Sequence, residues 1–439
     1  MKKLYFFFLT LLVLPLFFSC DPKEDIETPD GTTDSTATDS TSKYPVNAIV
    51  WPKDTTVTLT NHYIVPVDSS LYIEEGATII MDDTIVRPEF IVLGNLYCHG
   101  TKADPITFTV AEKYRNEAHR FGRYWGGIIC GYESKEVLLD YVTVEYGGAQ
   151  TTEESASFQY QLFKTETGEG VPGFHFCNTE GKFVIENCTF RNNAEDQIYI
   201  TGGQSIIANN KVIANGYDGG DAINYKSGCL ADVCYNVIYD ANSNGLKLSN
   251  NGAFDPQTHI FCYNNTLVNC GWRRPKVKGG SIWLEMNVYA ELYNNLMFDC
   301  RWACKQDISD PQDSRSVITP NYYFASTETG VTQYQGDESK GQLVGASDIV
   351  SASAGDKNPN FVNFTIQNNV DVNAGSTKSG NVPQTFSSSW DFHLSAGSPA
   401  LTGGTTNFTR HFGTSGLTID GVEYKSPDPA VYFGAYGTN

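Results

Sequence analysis

The sequence is short of the features that mark most metal-dependent, phosphate-binding and nucleic-acid-binding proteins. No HExxH, Walker-type or GxSxG pattern occurs, so zincin, phosphate-loop and nucleophile-elbow chemistry find no support. No CxxC pair exists, and Cys300 and Cys304 have no nearby His, which argues against a zinc site. Cations are scarce: 30 Lys and Arg against 50 Asp and Glu leave a net charge of −20. Residues 20–45 hold only seven of those acids and two lysines, so most of the charge belongs to the remaining body. Such a body repels polyanions, and no nucleic-acid partner is expected. Long helical periodicity is also absent. What the chain does have is 40 Gly and 25 Tyr, a composition suited to turn-rich β structure.

The organising stretch runs from Phe183 to Asp299. It holds FVIENCTF, IIANNKVI, ADVCYNVI, IFCYNNTLV and VYAELYNNLMF, each with an Asn ahead of a β-rich run: Asn187, Asn210, Asn236, Asn265 and Asn295. The steps are 23, 26, 29 and 30 residues. Between the copies lie DQIYITGG, DAINYKSG, NGLKLSNN and GSIWLEMN. Periods of this size with two or more strands per unit predict stacked coils, and the lack of a dense Leu pattern separates them from leucine-rich repeats. Coils stack at the spacing of neighbouring strands, about 4.8 Å, so equivalent Asn residues are expected to bond amide to amide at a tight corner.

The ends differ in kind. Residues 1–19, with Lys2, Lys3 and the apolar run from Leu4 to Phe18, read as a signal segment too short to span a membrane. Ser19-Cys20 resembles the lipobox junction of bacterial lipoproteins, which implies lipidation at Cys20. Residues 20–45 have no apolar periodicity and are expected to be a disordered tether. Within it Lys23-Glu24-Asp25 resembles the export signal of surface lipoproteins of the Bacteroidetes, and the two Asp-Ser-Thr triplets resemble that phylum's O-glycosylation sites. The resemblance implies a lipid-anchored protein of the outer membrane, facing the cell exterior. Ten cysteines remain beyond Cys20; those in strand-like runs are expected to be small buried groups, while export would permit disulfides in a pattern the sequence leaves open.

Residues 46–148 read as N-terminal coils. The order LYIEEGATII, FIVLGNLYCHG, PITFT, YWGGIIC and LLDYVTVEYGG resembles the opening coils of bacterial right-handed parallel β-helix proteins, a fold of the pectate-lyase-like superfamily. The expected fold class is therefore all-β, a right-handed parallel β-helix with an N-terminal cap and a C-terminal capping segment. In residues 149–173 periodicity stops, which predicts an inserted loop folded back by Phe158, Tyr160 and Phe163. Residues 174–305 are the central repeats and residues 306–439 irregular coils and cap. WDFHLSAGSPALTGG and PAVYFGAYG resemble the closing segment of exported bacterial β-helix proteins; a closing segment should cover the open end, with His393 and His411 structural.

Strand parity then predicts geometry. In IYI, INY, LKL and IWL the first and third residues point inward, leaving Tyr199, Asn224, Lys247 and Trp283 in one exterior row, with Thr201, Lys226, Ser249 and Glu285 beside it. An aromatic ring with amides and charges suits an extended extracellular polysaccharide. Asp196, Asp221 and Asn244 stack one step upstream with Asp218 nearby; Asp196 and Asp221 are the candidate ligands should calcium bind, although corner Asp residues more often bond turn amides. No other cofactor is expected.

The basic run Trp272-Arg273-Arg274-Pro275-Lys276-Val277-Lys278-Gly279 resembles the RxPxxRxG segment of pectate lyases. That resemblance would place Arg273 as the base abstracting the proton α to a uronate carboxylate, with Lys278 holding the substrate carboxylate. A plain charge-balancing loop is the competing reading. Hydrolysis by paired carboxylates has less support, because Gly219-Gly220-Asp221 matches no polygalacturonase motif well. The expectation is a monomeric surface protein that contacts polysaccharide without strong catalysis. The alternatives are a uronate lyase using Arg273, or an adhesin or structural surface module.

Overall fold

Runs of three to six residues rich in Ile, Val, Tyr and Phe, each bounded by Gly, Asn or Asp, can only be short strands. In the computed structural model they wind into a right-handed parallel β-helix with three faces. The structure describes residues 43–162, 166–217, 219–274, 276, 278–366 and 385–439. The signal segment and most of the tether, with Cys20, lie outside the described residues, as do Phe163 and Asp218.

One coil shows the pattern. Lys182–Glu186 lies on the first face, Thr189–Arg191 on the second and Ile198–Ile200 on the third, after which Gly203–Ala208 begins the next coil on the first face. Nine, eleven and ten strands stack in the three sheets. Neighbours pair in parallel, apart from Gln342–Leu343, which closes the third sheet antiparallel to Cys304–Gln306. Inward side chains such as Phe174, Ile198, Ile223, Leu246 and Ile282 form one continuous core along the axis. The ten cysteines from Cys98 to Cys304 are all free and buried, as small apolar fillers.

The tight corner between first and second faces carries the Asn ladder. Asn210 Nδ2 donates to Asn236 Oδ1 at 3.0 Å, and the same bond recurs from Asn236 to Asn265, Asn265 to Asn295 and Asn295 to Asn321 at 2.9 Å. The first member differs from expectation. Asn187 sits one position earlier, in the left-handed conformation at φ 57°, and Cys188 occupies the ladder position, its N–H donating to Asn210 Oδ1 at 2.8 Å. Asn209, Asn264 and Asn294 share that left-handed site, so an Asn-Asn pair serves two needs at one corner. The ladder ends on Asp348, whose carboxylate accepts from Asn321 N–H at 2.7 Å. A terminal member need only accept.

The closing segment does not cover the open end. That end is plugged by the helix Glu328–Gln333 and its flanks, where Val331, Tyr334 and Leu343 join the core beside Tyr323. The C-terminal residues instead run back along the outside of the coils. Asn264 donates to Tyr432 O, Tyr263 to Pro427 O, Ser426 to Asp232, and Tyr72 to Asp420, a span of six strand spacings on the first face, about 29 Å. On the second face Phe392, Leu394, Phe433 and Ala435 cover the outward-facing Val237, Tyr239, Val268, Leu296, Phe298, Tyr322 and Phe324. Apolar outer residues left bare would invite aggregation, and the strap removes them from water. His411 belongs to this strap, its N–H bonded to Asp232 at 3.1 Å, and His393 stacks on Tyr436.

The insertion at 149–173 performs the same service on the third face. Outward-pointing Ile91 and Ile129 are covered by Ala156, Leu162 and Val171. Glu89 fixes the loop by accepting from the Ser157 N–H at 2.6 Å and hydroxyl at 2.9 Å. Among the described residues small aliphatic groups anchor it rather than Phe158 and Tyr160, for Tyr160 is 44% exposed and Phe158 only half-buried.

Candidate functional site

The outer row expected from parity is present in register. Tyr199 pairs with Asn224, Asn224 with Lys247, and Lys247 with Trp283. The register extends it in both directions, to His175 before Tyr199 and Lys305 after Trp283. His175 is buried beneath the insertion, its ring nitrogens bonded to Tyr199 O and Leu162 O; Tyr199 packs against the insertion's apolar cluster and Asn224 is 4% exposed, so the open part of the row begins at Lys247.

Past the insertion, the loops joining second to third face frame a cleft of about 670 Å³ over Lys247, Trp283 and Lys305 of this row. Glu285 is its electrostatic hub. It accepts the Trp283 indole N–H at 2.6 Å and lies 3.2 Å from Lys247 Nζ and 3.7 Å from Lys226 Nζ. Burial alone would raise its pKa; the charge of Lys247, the indole bond and Lys226 outweigh burial and hold it below the ordinary glutamate value. Lys226 is pushed down by burial and by Lys247, whereas Asp221 and Glu285 hold Lys247 up against its own burial. Trp283 is held by one edge, leaving its face half-exposed to the cleft.

Asp196 and Asp221 form the floor at the corner. Asp221 N–H donates to Asp196 Oδ1 at 2.7 Å, and Asn224 Nδ2 donates to Asp196 Oδ2 at 2.8 Å and Asp221 Oδ2 at 3.3 Å. Asn244 donates its backbone and side-chain N–H to Asp221 Oδ1 at 2.9 and 2.8 Å. Burial, then the charge of Asp196, pushes Asp221 up to about 6. A calcium site fits this arrangement poorly. All four carboxylate oxygens already accept from nitrogen, and among the described residues no three acidic, His or Cys groups converge as ligands.

Arg273 does not reach the cleft. Its side chain is 3% exposed, with Nε 3.2 Å from Asp240 Oδ1 and its terminal nitrogens donating to Gly216 O, Asn215 O and Asp240 O at 2.6–2.7 Å. It fastens two neighbouring turns. Lys278 does line the cleft, together with Arg274 and Lys305. Parity could have found Lys305 had CKQ been taken as a further copy; it lacks the apolar–polar–apolar signature of the other four. Arg274 and Glu195 sit on irregular turns and carry no periodic signal.

The lining is balanced, with Glu195, Asp196, Asp221 and Glu285 facing Lys247, Arg274, Lys278 and Lys305 around an indole. Such a surface can stack a sugar ring, bond its hydroxyls and pair a carboxylate. No curated protein sequence matches this chain. A crystal structure of pectate lyase Pel9A superposes with a TM-score of 0.37 at 13% identity, covering 88% of each chain, too low a likeness to carry an argument. The family described as pectate-lyase-like β-helix domain matches residues 43–271, more than half of the sequence, and with the coils described above this chain belongs to it.

Proposed function

We propose that the protein binds an extended extracellular polysaccharide along the open part of its third face. The observation carrying this reading is the Trp283 indole at the base of a cleft, in register with Lys247 and Lys305 and with Lys247 and Glu285 fixed beside it. A glycan array with Trp283→Ala tests it. Loss of a stacking ring should weaken binding about tenfold or more, and equal signals from both proteins would remove the reading. We further propose attachment to the outer membrane through lipid on Cys20, facing outward. Labelling with a clickable palmitate should be lost in Cys20→Ala, and labelling that persists would refute it.

One observation favours a catalytic variant of the same site. A carboxyl poised near 6 beside a second carboxylate on the floor of a sugar-sized cleft can pass a proton to a glycosidic oxygen. New reducing ends that disappear with Asp221→Asn would support hydrolysis. Elimination with Arg273 as base would require the guanidinium to leave Asp240 and three carbonyls. Ultraviolet absorbance from unsaturated uronides, dependent on Arg273, would be its sign.

A further inference from the structure

The strap along the second face stops short of full coverage. From Val237 onward the outward residues, Thr266 excepted, are apolar and lie under Phe392, Phe433 and their neighbours. One and two coils earlier they are Thr189 and Arg191, paired in register with Lys211 and Ile213, and here Arg191 and Lys211 stay exposed. Strap residues Phe386, Trp390 and Tyr436 form a wall beside them, enclosing a hollow of about 580 Å³. A second hollow of about 320 Å³ shares Thr189 and Lys211 and continues to Lys102 and Asn187 at the tight corner. The two make one groove across the second face.

Its lining is basic, unlike the molecule as a whole. Arg120, Arg191, Lys211 and Lys102 line it, with Asp391, bonded to His393 at 2.5 Å, as the one lining carboxylate; Glu117 pairs with Arg120 at 3.2 Å from outside the lining. Glu145 takes Arg191 Nε at 2.6 Å, and among the described residues no bond falls on its terminal nitrogens. Lys211 makes no ion pair among the described residues. Lys211 stands opposite Thr189 and diagonal to Arg191, near enough for one anion to meet both long side chains. Aromatic edges beside the cations, with Ser388, Asn192 and Thr189 for hydroxyls, match a sugar that carries carboxylates. The volume falls within the usual range for ligand sites.

We propose that this groove is a second saccharide site, taking a carboxylate-bearing oligosaccharide on a different face from the Trp283 cleft. A uronic acid chain fits better than nucleic acid, whose denser phosphate charge meets the repulsion of a −20 body. Two sites on one rigid solenoid would let the protein hold a long chain at two points, multiplying weak contacts.

Calorimetric titration of the full chain with a mannuronate tetrasaccharide and a galacturonate tetrasaccharide tests this, with cellotetraose and a short single-stranded DNA as controls. Lys211→Glu is the informative variant, because the side chain is exposed; an unchanged urea midpoint confirms its fold. At least one uronate should bind in a salt-sensitive way, weakened tenfold or more by Lys211→Glu and retained in Trp283→Ala. Retention in Trp283→Ala separates this site from the cleft, so either can fail alone. Unaltered uronate binding in Lys211→Glu, equal binding of cellotetraose, preference for DNA, or no binding would each overturn the proposal.

Discussion

Removing one amide from the ladder should cost far more than removing its neighbour in sequence. Asn265 is fully buried, and its Nδ2 donates to Val233 O and Asn295 Oδ1, each at 2.9 Å. Its Oδ1 accepts from the backbone N–H and the side chain of Asn236 at 3.0 and 2.9 Å. Asn265→Ala therefore strands a buried carbonyl, a buried N–H and part of the Asn236 amide. At roughly 1–3 kcal/mol for each stranded group, the sum is about 4 kcal/mol. Asn265→Asp keeps the acceptor and loses both donations while facing Asn295 Oδ1, so it should be at least as damaging. Asn187→Ala is the control. Its amide reaches only the half-buried Asp140 carboxylate at 3.0 Å, off the ladder, and alanine must also hold the left-handed backbone, which together predict about 2 kcal/mol or less. Equilibrium urea unfolding followed by tryptophan fluorescence would rank the variants, provided their slopes agree. Equal losses in Asn187→Ala and Asn265→Ala, or a loss below about 1 kcal/mol in the latter, would refute the ladder as a main support.

Three further outcomes are expected. Asp221 is raised from 3.8 to about 6, so the folded state holds its proton more tightly than the unfolded chain. Its stabilising contribution is present at low pH and is lost as pH rises from about 4 to 6; Asp221→Asn should flatten that decline in urea midpoint, and parallel profiles would refute it. Arg273→Ala should destabilise by about 3–5 kcal/mol, since it removes a buried ion pair with Asp240 and three bonds donated to turn carbonyls. Glycan affinity of the folded fraction should be unchanged; selective loss of affinity would return Arg273 to the site. Thiol titration of the native protein should find none of the ten cysteines from Cys98 to Cys304 reactive, with all ten appearing in denaturant; fewer would signal disulfides.

Periodicity was enough to read the coils, the third-face row and the Asn-rich corner. A strand's two-residue alternation and a coil's repeat are local rules, so Tyr199, Asn224, Lys247 and Trp283 could be aligned before any coordinates. The same rules are blind to a shift of one residue inside a corner, which is why Asn187 looked like a ladder member while Cys188 holds that position. They are blind also to side-chain reach. Arg273 and Arg274 are neighbours in a basic run, yet one is drawn into turn carbonyls and the other into the cleft, a choice set by the backbone of the coils on either side. What the strap and the insertion cover lies outside sequence logic. Each folds back onto outward apolar residues such as Ile91, Val237 and Phe298, many coils or several strands away, and only tertiary packing decides which are covered. Where the cover ends, before Lys247 on one face and at Lys211 on another, the protein is left with its open surfaces. Local pattern fixes what each strand presents, and long-range packing fixes what remains presented.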